Sequence, residues 1–127
     1  LELLLDGTEE PYLSKPDNLA VTSDGIVLIQ EDPGKNDLVA RIVAFRVKDA
    51  KLATIAQFNP DHFKTGGSKF MTTDEEASGI IDVTSMLAKP GDTTKYFYFN
   101  SQVHTAGAYT ARPDLTAKSS SGQKMFN

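Results

Sequence analysis

The chain contains no cysteine. That absence removes disulfides, thiolate zinc sites, cysteine nucleophiles and iron–sulfur clusters from its chemistry, and it leaves the compartment open, because a cysteine-free chain survives in either redox environment. Positive charge is not in excess. Thirteen Lys and Arg against seventeen Asp and Glu leave a net charge of −4, so the basic footprint that nucleic acid requires is missing and nucleic acid is not an expected partner. No apolar run approaches the ~18 to 20 residues of a membrane span, so the chain reads as soluble with no membrane partner. A basic segment followed by an apolar export signal is lacking, and the chain opens at Leu1 in place of Met, which is expected of a processed product or excised piece. What is present is ordinary globular usage, 39% apolar and 24% charged over 127 residues, enough for one small domain with one core.

The clearest pattern spans residues 18 to 58. Asn18-Leu19-Ala20-Val21-Thr22 and Ile26-Val27-Leu28-Ile29-Gln30 are apolar runs around Ser23-Asp24-Gly25, whose Asp-Gly pair supplies positive φ at little cost, so they predict a hairpin. After a polar loop from Glu31 to Asp37, the β-branched run Leu38 to Val47 is broken only by Arg41 and Arg46, and Lys48-Asp49-Ala50-Lys51 turns it into Leu52 to Phe58. Strands over 19–22, 26–30, 39–47 and 52–58 make an all-β, antiparallel meander that matches one propeller blade, commonly four strands in ~40 to 45 residues. Gly79 to Val83 and Lys95 to Phe99 read as two further strands, with a helical turn at Thr84-Ser85-Met86-Leu87-Ala88 stopped by Pro90-Gly91. The expectation is therefore about one and a half blades of a β-propeller over residues 1–104. Residues 105–127, rich in Ala, Ser and Thr, read as a polar extended tail.

Acidic residues gather where these strands are expected to end. Pro16-Asp17-Asn18 precedes the first, Glu31-Asp32 follows the second, and Asp74-Glu75-Glu76 precedes Ser78-Gly79-Ile80. Carboxylates on loops held by a rigid sheet can converge on a hard cation, and calcium takes about six to eight oxygens in irregular geometry. The same residues also cap turns and line solvated surface, and spacing alone leaves both readings open. No segment fits the EF-hand loop, and Gly66-Gly67-Ser68-Lys69 lacks the frame of a phosphate loop and reads as a mobile turn. His62 lies in a short turn, His104 follows the aromatic strand, and a lone histidine at a strand end is more often a hydrogen-bonded structural residue than a ligand or base. Without a Gly-x-Ser-x-Gly elbow, no Ser/His/Asp set stands out. Arg41 and Arg46 fall on opposite pleat faces and cannot clamp one anion.

Three segments go beyond pattern. Ser14-Lys15-Pro16-Asp17-Asn18 through Gln30-Glu31-Asp32 resembles the "Pro-Asp-Asn … Gly … acidic" strand pair of bacterial PhoX-type alkaline phosphatases and their relatives. Thr73-Asp74-Glu75-Glu76-Ala77-Ser78-Gly79-Ile80-Ile81-Asp82 resembles that family's later Glu-x-Ser/Thr-Gly segment, and Tyr96 to His104 is similar to the strand after it, so the likeness runs in order over roughly residues 14 to 104. The resemblance implies a six-bladed propeller, periplasmic or extracellular, that hydrolyses phosphate esters with calcium and iron at the mouth of its channel. It makes Asp17, Asn18, Glu31, Asp32 and Glu76 the candidate metal ligands and, with the reading of His104 above, Glu76 and His104 the candidate catalytic residues. The family's iron-binding cysteine and its earlier Arg- and Glu-bearing segment have no counterpart here. The implied state is a C-terminal third, inactive alone, with the remaining blades or self-association as partners. Two alternatives stand beside it: a non-catalytic, calcium-stabilised propeller or sandwich piece of a surface protein, and a binding module that uses the Tyr96 to Phe99 strand as an edge.

Overall fold

The computed structural model describes residues 1–34 and 37–103 together with the short strands Ala117–Lys118 and Lys124–Met125. The fold is mostly β and antiparallel. Strands β1 (Pro16–Val21), β2 (Ile26–Glu31), β3 (Arg41–Arg46) and β4 (Lys51–Gln57) form one sheet in sequential order. Helix α1 (Pro60–Phe63) leads to β5 (Glu75–Asp82), helix α2 (Thr84–Leu87) and β6 (Phe97–Val103), and β5 pairs with β6 in a second sheet. The strands β7 (Ala117–Lys118) and β8 (Lys124–Met125) pair with each other. Side-chain statements about the expected tail, and about His104, lie outside the described residues.

The meander forms over the apolar runs Leu19 to Val21, Ile26 to Ile29 and Ile42 to Phe45 and the strand after them, and its order and first turn are those expected. Gly25 has φ +80°, Gly25 N donates to Thr22 O at 3.1 Å and Thr22 N donates to Ile26 O at 2.8 Å. Ser23-Asp24-Gly25 is thus a three-residue loop with glycine in the left-handed position, a common hairpin closure. The Lys48-Ala50 turn contains a single 3-10 turn, Val47–Asp49, closed by Ala50 at φ 52°. It sits in the connection and breaks neither flanking strand.

The strand ends differ from expectation, β1 and β5 starting earlier and β3 later. β1 begins at Pro16 and β5 at Glu75, so Asp17, Asn18, Glu75 and Glu76 lie inside strands and not on loops before them. β3 starts only at Arg41, leaving Val39 and Ala40 buried in the approach to it. Backbone pairing with an existing apolar neighbour strand carries polar residues into the ladder, which hydropathy along the chain does not register. β6 likewise continues past the aromatic run to Val103.

The two sheets share one core. Leu28, Ile42, Ala77 and Ile80 are its buried centre, with Ala20, Ile26, Ala44, Ala56, Phe58 and Phe97 packed around it. β5 runs against β1 and β2. The face of the four-stranded sheet turned toward β5 therefore carries Ala20, Leu28, Ile42, Ala44 and Ala56, while Ile29, Val43 and Phe45 are buried on the opposite face.

A polar end to the layer between the sheets as candidate functional site

The register of β2 against β3 sets Gln30 opposite Ile42 and Ile29 opposite Val43. The ladder ends there, and Glu31, the last residue of β2, meets Arg41, the first of β3, through their side-chain ion pair. Because side chains alternate, Gln30 shares the face of Leu28 toward β5 and Glu31 the other face with Ile29, while Asp32, just past the strand, is near enough for its charge to act on Glu75. The layer between the sheets is thus apolar at Leu28 and Ile80 and polar at its Gln30 end.

Glu31 is wholly buried and fully engaged. Its Oε1 accepts from Arg41 Nη2 at 2.6 Å and from Ser14 N at 2.7 Å, and its Oε2 accepts from Arg41 Nε at 2.8 Å. The guanidinium also donates to the Tyr12 carbonyl. This bidentate, charge-assisted pair raises the Arg41 pKa further above its ordinary value and ties the irregular segment before β1 to β2 and β3. Arg46, on the other pleat face, pairs instead with exposed Asp49 at 2.7 Å.

Glu75 shows the opposite chemistry. It lies on the same face of β5 as Ala77, its Oε1 accepts from Ala40 N at 3.0 Å, and its Oε2 has no hydrogen-bond partner among the described residues although the side chain is 0% exposed. Burial pushes its carboxyl pKa up, with the charges of Asp74 and Asp32 adding to the effect. Gln30 is also 0% exposed, and among the described residues neither its Nε2 nor its Oε1 is paired. Gln30, Asp32 and Glu75 thus converge on the polar end of the layer.

The candidate ligands of the sequence reading are distributed differently. Asp17 is exposed and accepts a hydrogen bond from its neighbour, Asn18 Nδ2, at 2.7 Å. Asn18 is paired with Gln30 across β1 and β2, and Asp32 donates its backbone N–H to Lys15 O at 3.1 Å. Glu31 is held by Arg41. Glu76 is buried but follows Glu75 in the strand, so the pleat turns it away from the face that looks at Asp32. Among the described residues no three His, Asp or Glu side chains come together as a metal site. His62 stands in α1 with its ring 6.0 Å from that of Phe63, and His104 lies outside the described residues. The sequence names Glu75 only within an acidic run and Arg41 only as unable to share an anion with Arg46, and it gives Gln30 no role; the signal available for Arg41 was the strand register, which places it beside an acid.

The raised pKa of Glu75 makes a pH dependence. A carboxyl whose folded pKa is above its unfolded value holds its proton longer in the folded state, so stability falls as pH rises from about 4.5 through the folded pKa. Asp24, Asp49 and Asp82 are shifted downward, so their contributions vary below about 3.8 and do not overlap that window. Urea denaturation between pH 5 and 7 should show a falling midpoint that Glu75→Gln flattens; parallel slopes in the two proteins would show that Glu75 ionises as freely folded as unfolded.

Comparison of the chain with protein-family models, with curated proteins and with solved structures finds no match.

Proposed function

We propose that the chain is the C-terminal part of a PhoX-like, secreted, metal-dependent phosphate-ester hydrolase of the periplasm or the cell exterior, with one complete propeller blade, β1 to β4, and the first two strands of the next. The observation that carries this reading is that β5 runs against β1 and β2 while β6 continues the second sheet outward, the relation expected of first strands in adjacent blades around a channel. The outer faces fit as well. Leu19 and Val21 on one side, and the cross-strand pair Ile81 and Tyr98 on the other, leave apolar side chains exposed where flanking blades would pack.

Calcium and iron belong to the complete site of such a parent. Among the described residues the donors do not converge by themselves, so Asp17, Asn18, Asp32 and Glu76 would serve as part of a ligand set completed by other blades. No catalytic step is assigned to residues of this chain alone. The same scattering of acids favours a second reading, a non-catalytic β-propeller or binding module in which Glu31 and Arg41 serve structure only. Calcium calorimetry on a chain extended upstream through the Arg- and Glu-bearing segment separates the two: Asp17→Ala should lower the affinity by about tenfold or more. An unchanged isotherm would leave Asp17 as no more than the acceptor for Asn18.

A further inference from the structure

Three buried side-chain atoms lack a partner among the described residues: Glu75 Oε2, Gln30 Oε1 and Gln30 Nε2. Both side chains are 0% exposed, and buried polar atoms of this kind are ordinarily served by a water or an ion. Two features of the fold bring them to the same place. Leu28 and Ala77 belong to one buried cluster, and Gln30 follows Leu28 by two residues while Glu75 precedes Ala77 by two, each on the same face as its neighbour. Ala40, whose N–H reaches Glu75 Oε1, lies two residues before Ile42, the ladder partner of Gln30. The charge there is of one sign. The charges that act on Glu75 come from Asp74 and Asp32, both acids, and Arg41, which follows Ala40, is committed to Glu31.

We infer that a calcium ion binds in the layer between the sheets, held by Gln30 Oε1 and Glu75 Oε2, with the charge of Asp32 close by. The two buried acids of this region are then answered in parallel ways. Glu31, on one face of β2, is held by the Arg41 guanidinium, and Glu75, which has no ion pair among the described residues, takes the cation. A water alone would satisfy hydrogen bonds and leave the carboxylates repelling one another, whereas a cation offsets the charge as well. The donors suit calcium, which accepts carboxylate and amide-carbonyl oxygens in irregular geometry with water filling the remaining positions; magnesium asks for a near-ideal octahedron. This site is built from the chain's own strands and is independent of the parent enzyme proposed above, whose candidate ligands include neither Gln30 nor Glu75.

Calorimetry and urea denaturation of the 127-residue chain in calcium chloride test this, with sodium chloride at equal ionic strength as the control for screening. A single calcium should bind per chain and raise the urea midpoint above that in sodium chloride. Gln30→Leu and Glu75→Gln should each lower the affinity about tenfold or more. Without calcium both variants should resist urea at least as well as the parent, because each removes an unpaired buried group. Asp49→Asn, in the exposed pair with Arg46, should bind calcium as the parent does. Absence of calcium heat, a midpoint in calcium equal to that in sodium chloride, or an affinity unmoved by both substitutions would each overturn the inference, the last by showing a generic surface site. Failure here would leave the phosphatase reading untouched.

Discussion

Arg41→Ala is expected to destabilise the chain by about 3 kcal/mol, in the lower part of the range for removing one partner of a buried ion pair. The reason is the state in which it leaves Glu31. That carboxylate is inaccessible to water and would keep one donor, Ser14 N, where it now has three. The cost stays in the lower part because the Arg41 side chain is itself 19% exposed, so water can enter where the guanidinium stood. Replacing both residues together by leucine should cost less than Arg41→Ala alone, since no buried charge then remains. Urea denaturation measures both, and Arg46→Ala, whose partner Asp49 is exposed, is the control expected to move the midpoint little. Equal small effects for Arg41 and Arg46 would show that Glu31 is solvated after all.

Phe45→Ala should cost about 3 to 5 kcal/mol, the usual range for emptying a buried aromatic site. Phe45 is 2% exposed on β3, an inner strand of the four-stranded sheet, opposite Val27 on one side and Leu52 on the other. Strand neighbours on both sides fix the backbone, so the sheet cannot collapse into the space. Against a total stability of about 5 to 15 kcal/mol for a domain, the variant should unfold at markedly lower urea. Tyr98→Ala provides the comparison, because Tyr98 is 61% exposed on the outer face of β6 and should change stability by no more than about 0.5 kcal/mol.

The meander was readable because its strands are short apolar, β-branched runs separated by turn residues, and Asp24-Gly25 marks the first turn. The polar end was not. Asp17, Asn18, Glu75 and Glu76 look like loop residues in one dimension, and only pairing with β2 and β6 reveals them as strand. Once Glu75 opens the strand, the pleat decides that it and not Glu76 faces Asp32, a choice that turns on a one-residue boundary. Gln30 ends an apolar run, so nothing in the run shows that its amide is buried under the second sheet. Arg41 interrupts a β-branched stretch as a solvent-facing residue would, and its contact with Glu31 appears only when the register of β2 and β3 is known.

Hydrolysis of p-nitrophenyl phosphate is the most direct measurement of the central proposal. With calcium and iron added, the 127-residue chain should release p-nitrophenol no faster than buffer, because phosphoryl transfer needs several cationic groups held around the phosphate and among the described residues the acids do not gather into a metal site. A longer chain that supplies the upstream Arg- and Glu-bearing segment and the missing cysteine should turn over the ester under the same conditions. Turnover by the 127 residues alone, abolished by Glu76→Gln, would contradict the account, as would an inactive longer chain that is folded and loaded with both metals.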